Sequence, residues 1–323
     1  MTHSMLAFVF PGQGSQSPGM LAELSAQHAL VRDTFAEASE GAGVDLWALS
    51  REGQDETLNR TEYTQPALLA AGIAVWRVWQ QQGGAQPSVL AGHSLGEYTA
   101  LVASGALSLG DAAQLVRRRG QLMQDAAPAG TGAMAAVLGA EDAVVQQACE
   151  DASGDSASDV VVPANYNSPG QIVIGGHAAA VDRALALLAE RGVRKAVKLA
   201  VSVPSHTPLM REAADRLGET MAAMQWHEPG IPVVQNVDAQ IHQGVQSIRD
   251  ALVRQLYLPV QWAGCIRALA VRDVMRIAEC GPGRVLTGLA KRIDKSLDAR
   301  ALGTPDEFDG ALRDFSIEAG QHA

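Results

Sequence analysis

The feature that most constrains the fold is the stretch Val89-Leu90-Ala91-Gly92-His93-Ser94-Leu95-Gly96-Glu97-Tyr98. A short apolar run of the kind that forms a buried strand leads into Gly-x-Ser-x-Gly, and a helix-prone segment over 95–103 follows at once. Strand, sharp turn and helix in that order hold the turn serine in a strained backbone conformation. Its hydroxyl then stands at the strand tip, with free helix N–H groups beneath it for a developing oxyanion. Gly92 and Gly96 flank Ser94 at close approach, where a Cβ would collide with the neighbouring strand or helix. Ser94 is therefore the candidate nucleophile. An ordinary strand-to-helix turn that contains a serine is the reading this stretch alone leaves open.

A chain of 323 residues accommodates one large domain, or one domain carrying a second as an insertion. With 47% hydrophobic and 19% charged residues, a sizeable core can form and disorder is not indicated. The formal charge of −10 sets up a field that repels nucleic acid and anionic membrane, so neither is expected as a partner. An anionic substrate must then be captured by a local basic group. The first ten residues lack a basic leader region and read as a strand rather than a signal peptide, and no apolar run reaches the ~18 residues of a membrane span. Cys149, Cys265 and Cys280 are odd in number and lack C-x-x-C spacing, as expected of reduced thiols in a cytoplasmic protein without a metal site.

Along the chain, 5–10 reads as a buried strand followed by the glycine-rich loop Pro11-Gly12-Gln13-Gly14-Ser15-Gln16-Ser17-Pro18-Gly19. Ser17 stands where a dinucleotide fingerprint needs its third glycine, so no nucleotide cofactor is expected, yet N–H groups of such a loop can still face a ligand. Helical patterns cover 29–39 and 66–82, the second with Thr64 as its expected cap. Ser108 and Asp111 open a helix running to about 127. From 132 to about 199 the order changes to strand 133–138, helix 141–152, strands 160–165 and 171–175, helix 178–191 and strand 195–199. That βαββαβ order is the ferredoxin-like unit, read here as a small domain inserted in a larger one, with a hairpin turn over 165–170. Helices and strands then alternate over 233–237, 248–257, 262–271, 274–279 and 285–293.

Two residues outside the elbow carry chemistry. On the helix after Ser108, the stripe Ala112, Leu115, Val116, Leu122, Met123 and Ala126 faces inward and includes Arg119, whereas Arg117 and Arg118 fall on the polar side. A guanidinium on the core side must find an anion. Either an internal carboxylate pairs with it, or it is a fork for a substrate carboxylate. His206, in Val203-Pro204-Ser205-His206-Thr207-Pro208, is held between prolines just before a helix, while His3, His28, His177, His227, His242 and His322 lie near termini or among polar residues. No aspartate or glutamate stands out as its partner.

With Phe10-Pro11-Gly12-Gln13-Gly14-Ser15-Gln16, Gly92-His93-Ser94-Leu95-Gly96-Glu97, the arginines ending at Arg119 and Pro204-Ser205-His206, the chain resembles the malonyl-CoA:acyl carrier protein transacylases. Asn165-x-Asn167-Ser168-Pro169-Gly170-Gln171, Leu258-Pro259-Val260-Gln261-Trp262 and Gly281-Pro282-Gly283 extend the likeness over nearly the whole chain. The resemblance implies an α/β-hydrolase-like large domain, 1–127 with 202–323, and a ferredoxin-like inserted domain, 128–201. It implies that Ser94 is the nucleophile and His206 the base, that Arg119 binds the malonyl carboxylate, and that the N–H groups of Gln13 and Leu95 form the oxyanion hole. It also implies that the main-chain carbonyl of Gln261 orients His206 and that Asn165 and Asn167 line the cleft. The expected partners are malonyl-CoA, itself a substrate and not a cofactor, and acyl carrier protein, met by basic residues among Arg194, Lys195, Lys198, Lys291, Arg292 and Lys295. A cytoplasmic, monomeric enzyme of fatty acid synthesis is the expectation. The alternatives are a serine hydrolase or thioesterase, and a non-catalytic relative that binds the carrier protein.

Overall fold

A computed structural model describes residues 5–317 apart from 53–54, 129, 157–158 and 202, so the expected boundary at 202 and the histidines at 3 and 322 lie outside the described residues. Strands β1 (Met5–Phe10), β2 (Val89–Gly92), β7 (Val233–Val234), β8 (Val274–Glu279) and β9 (Asp298–Ala301) form one sheet. Its order is β7-β2-β1-β8-β9, and every neighbouring pair is parallel. Strands β3 (Gly132–Leu138), β4 (Val161–Ser168), β5 (Gln171–His177) and β6 (Lys195–Lys198) form a second, antiparallel sheet of order β4-β5-β3-β6. That order belongs to the split βαβ unit, so the expected α/β fold with a small antiparallel insertion is the observed one.

β1 shows how period-two patterning builds the large core. Leu6, Phe8 and Phe10 enter one apolar cluster, Ala7 and Val9 the other. On the first side, Phe8 meets Trp76 and Trp79 edge-on with ring centroids 5.2 and 5.3 Å apart, pinning the helix Thr61–Gln81 to the sheet. On the second, Trp262, Ile266 and Leu269 of the helix Trp262–Ala270 cover the sheet. Because all five strands run parallel, the loops after β1, β2, β7 and β8 emerge at one edge, where a crevice forms between loops that leave in opposite directions.

Three local expectations are corrected. The helix expected to start at 66 begins at Thr61 with Arg60 as its cap position. Thr64 lies inside it, its hydroxyl bonded to the carbonyls of Leu58 and Arg60. The turn expected over 165–170 is confined to Pro169-Gly170, since β4 runs on through Ser168 and its irregular pairing with β5 re-aims Asn165 and Asn167. Strand β7 ends at Val234, which releases Gln235 and Asn236 at the crevice. The helices Ala22–Gln27, Leu46–Glu52, Asp55–Leu58 and Pro305–Ile317 and strand β9 were not signalled by the sequence pattern.

The small sheet is tied to the larger part by main-chain bonds between β4 and Val260, which stands just before the helix Trp262–Ala270. The N–H of Tyr166 donates to Val260 O and that of Val260 to Ala164 O, both at 2.9 Å. The elbow is equally tight. A Cβ on Gly92 would stand 1.9 Å from the carbonyl carbon of Gly96, and one on Gly96 would stand 2.0 Å from Phe10 O. Both obstacles are backbone and cannot swing aside. Gly92→Ala is therefore expected to destabilise the protein by about 3 kcal/mol, read as a shift of the denaturation midpoint in urea.

Candidate active site

Ser94 follows β2 with φ 52° and ψ −106°, the left-handed side of backbone space that a serine occupies only under constraint. The constraint is Asn236, freed by the end of β7. Its Oδ1 accepts the Ser94 N–H at 2.7 Å and its Nδ2 donates to Gly92 O at 2.7 Å, so one side chain clamps both limbs of the turn. The Gly96 and Glu97 N–H groups donate to the carbonyls of His93 and Ser94. Among the described residues the Leu95 N–H is left without a partner at the start of the helix Leu95–Ala103. Across the crevice Gly14 N–H donates to Gln16 Oε1 and Ser15 N–H to Gly12 O, which leaves the Gln13 N–H free in the same sense. Gln13 and Leu95 both line the cavity above Ser94.

Ser94 Oγ lies 2.7 Å from His206 Nε2. His206 is buried, at φ 62°, and its backbone and ring are both held by the end of the helix Val245–Tyr257. Its N–H donates to Leu256 O at 3.0 Å and its Nδ1 lies 2.7 Å from Gln255 O. A carbonyl only accepts, so Nδ1 carries the proton and Nε2 faces the serine with a free lone pair. Burial, reinforced by the charge of Arg119, drives the His206 pKa down to about 3, so the ring is neutral at ordinary pH. The carbonyl that orients His206 is thus that of Gln255, not Gln261. Gln261 precedes the next helix and its carbonyl accepts the N–H of Cys265. The sequence holds the reason. Gln255 is in the last turn of its helix, and four residues on stands Pro259, which has no N–H to offer its carbonyl.

Arg119 is buried on the inward stripe of the helix Leu109–Ala126. Among the described residues no carboxylate lies within the 4.0 Å of an ion pair with it. Two amide oxygens hold it instead, with Nη1 on Gln65 Oε1 at 2.8 Å and Nη2 on Gln255 Oε1 at 3.2 Å. Nη2 also reaches Ser94 Oγ at 3.3 Å. Each amide is oriented by what its nitrogen meets. Gln65 Nε2 donates to Thr61 Oγ1 at 2.9 Å, and Thr61 donates in turn to Gln13 Oε1 at 3.1 Å. Gln255 Nε2 donates to Ser94 O at 2.8 Å and to Glu97 Oε2 at 3.1 Å. A guanidinium oriented by neutral oxygens keeps its charge for a ligand.

The cavity above Ser94, about 480 Å³, lies between the two sheets. Arg119 and Met123 form one wall, and Asn165, Asn167 and Val173 of the small sheet form the other. Asn167 Oδ1 lies 2.8 Å from His93 Nε2, which ties the small sheet to the elbow. Val285, Leu286 and Leu289 close it from a further side, and Leu199 to Val201 lie at its rim. The basic candidates Arg194, Lys195, Lys198, Lys291, Arg292 and Lys295 are all exposed. Lys198 is paired with Asp182, and Arg292 is bonded to Gln171 on the cavity lining. Ser94, His206, Arg119, Gln13, Leu95, Asn165 and Asn167 thus meet in one place and Gln261 does not. Sequence reasoning passed over Gln65, Asn236, Gln255 and Glu97. Gln65 and Gln255 carry one retrievable signal, an amide on the apolar face of a helix.

The acyl transferase domain family matches residues 7–291. The malonyl CoA-acyl carrier protein transacylase of Salmonella typhimurium is 52% identical over 309 residues, which make up 96% of this chain and 99% of that protein. Among solved structures, the malonyl-CoA:acyl carrier protein transacylase of Xanthomonas oryzae pv. oryzae superposes with a TM-score of 0.95 at 74% identity, covering 98% of this chain and 99% of that one. A malonyl-transacylase solved in complex with a type II PKS acyl-carrier protein superposes at 0.93 with 49% identity, over 96% of this chain and 100% of that chain. Identity sustained over almost the full length of both partners excludes a shared fold alone as the source of the likeness, and the chain belongs to the malonyl-CoA:acyl carrier protein transacylase family of acyl transferases.

Proposed function

We propose that this chain transfers the malonyl group of malonyl-CoA to the phosphopantetheine thiol of an acyl carrier protein, through a malonyl ester on Ser94. The observation that carries this reading is Arg119. Its guanidinium lies 3.3 Å from Ser94 Oγ and is oriented by neutral amides, a placement that serves an acyl group ending in a carboxylate.

His206 Nε2 takes the Ser94 hydroxyl proton as Oγ attacks the thioester carbonyl. The carbonyl oxygen, now negative, accepts the N–H groups of Leu95 and Gln13. The C–S bond breaks, and the coenzyme A sulfur leaves with the proton from Nε2. The carrier-protein thiol then gives its proton to Nε2 and attacks the ester, and Oγ departs with that proton. Thr61 and Gln65 tie the Gln13 loop to Arg119, so the oxyanion donor and the carboxylate fork are set against each other by one hydrogen-bonded chain. No cofactor enters these steps.

The large domain is taken as 1–127 with 202–323 and the inserted domain as 128–201, with the cavity between them. The exposed basic residues around Arg292 are the docking candidates for an acidic carrier protein. The reading takes it as a monomeric enzyme working in the cytoplasm in fatty acid synthesis; among the described residues no helix is long and apolar enough to cross a membrane.

Intact-mass measurement after mixing with malonyl-CoA should show one malonyl adduct, absent from Ser94→Ala. Hydrolysis of malonyl-CoA as fast as its transfer to carrier protein would favour a thioesterase instead. Arg119→Ala should cost malonyl transfer roughly 3 kcal/mol, on the order of 10²-fold, while acetyl transfer is kept or improved. Equal losses for both donors would remove Arg119 from this role. In NMR titration, the His206 ring should stay neutral at pH 5, where an ordinary histidine with a pKa near 6.5 is protonated, because its pKa is lowered to about 3.

A further inference from the structure

Glu97, the last residue of Gly92-His93-Ser94-Leu95-Gly96-Glu97, has no part in the steps above, yet it is fully buried beneath the elbow. Its Oε2 accepts the Asn236 N–H at 2.9 Å and Gln255 Nε2 at 3.1 Å, while Oε1 has no hydrogen-bond partner. The same Gln255 amide presents its oxygen to Arg119 at 3.2 Å. A buried cation and a buried carboxylate are therefore joined through a single amide, and the Asn236 and Gln255 that touch the carboxylate also hold Ser94 and His206.

We propose that Glu97 is the counter-charge of Arg119 in the empty site and that it takes up a proton when an acyl carboxylate occupies the guanidinium. This rests on the malonyl-transfer reading. The physical reason is charge balance in a desolvated space. One guanidinium offsets one carboxylate, and a second carboxylate beside it leaves a net negative charge that burial penalises. The incoming malonyl group is anchored on Arg119, so the proton goes from solvent to Glu97, whose Oε1 is unengaged. A neutral acyl group brings no second charge and leaves Glu97 ionised. Glu97 thereby spares Arg119 an unbalanced buried charge in the empty site and gives up its own charge only to acyl groups that carry a carboxylate.

The groups facing Glu97 are few. Arg119 on the helix Leu109–Ala126 favours its ionised form, and Asp238, beyond β7, opposes it. Asp238 is itself paired with His242 and Arg254. Tyr98, next to Glu97 on the helix Leu95–Ala103, and Cys265 on Trp262–Ala270 are held neutral by burial, their own pKa values pushed up. His206 and His93 lie on the Ser94 side, His206 neutral throughout. Burial moves the Glu97 pKa up to about 7, within reach of a proton at working pH.

The test is calorimetry on Ser94→Ala, which binds without turnover, in buffers of differing ionisation enthalpy. Malonyl-CoA should bind with an uptake of about 0.5–1 proton at pH 8, where Glu97 is ionised when the site is empty, and less at pH 6, where it is already protonated. Acetyl-CoA should bind with none, and adding Glu97→Gln should abolish the malonyl uptake. Unchanged uptake with Gln at 97, or equal uptake for both donors, overturns the proposal. Should the double variant fail to fold, the infrared difference spectrum of Ser94→Ala decides the matter. Malonyl-CoA must raise a protonated-carboxyl band that acetyl-CoA does not, and its absence overturns the proposal. Failure of the wild-type chain to load carrier protein would overturn the transfer reading. Malonyl-CoA binding without proton uptake would overturn this inference alone.

Discussion

The site depends on what happens at the end of one helix. Gln255 sits in the last turn of Val245–Tyr257, where backbone carbonyls run out of N–H partners, and Pro259 ensures that its own is not claimed by the next turn. That free carbonyl fixes the His206 tautomer, and the carbonyl of Leu256 fixes the His206 backbone. The Gln255 side chain then reaches Arg119, Ser94 and Glu97 at once. A hydroxyl, an imidazole, a guanidinium and a carboxylate take their relative positions from a single residue that undergoes no chemistry.

This explains why the His206 Nδ1 meets a carbonyl and, among the described residues, no aspartate. A buried carboxylate at Nδ1 would bring another desolvated charge into a space that already contains Arg119 and Glu97. A backbone carbonyl supplies the same directional constraint without adding charge. The imidazole is left with a depressed proton affinity, a consequence of burial and of the neighbouring cation.

Much of this was legible in the chain because it is local. The continuous apolar run of β1, the glycine-flanked turn at Ser94 and the Ser108–Asp111 cap are each decided within a few residues, and each stands where expected. Arg119 was legible by its phase on an apolar stripe. The start of Thr61–Gln81 was missed because its first turn is polar, and Thr61 and Gln65 are buried only by tertiary contacts with the Gln13 loop and Arg119. β9 was missed because Asp298-Ala299-Arg300-Ala301 is a short edge strand with charges on its alternate residues. The misplacement of the orienting carbonyl on Gln261 has a different cause. A main-chain group has no side-chain signature, and only the helix end and the proline mark it.

The pairing of β4 with the segment at Val260 has a topological consequence. The small sheet enters and leaves the chain on the β3 and β6 side, yet its opposite margin is stitched to the larger part by main-chain bonds at Ala164 and Tyr166. The insertion is therefore fastened along two separate margins, one covalent and one not. Excising it would strip Val260 of its strand partner immediately downstream of the helix end that holds His206. The smaller unit, inserted between β2 and β7, thus braces the segment that follows the helix end holding His206.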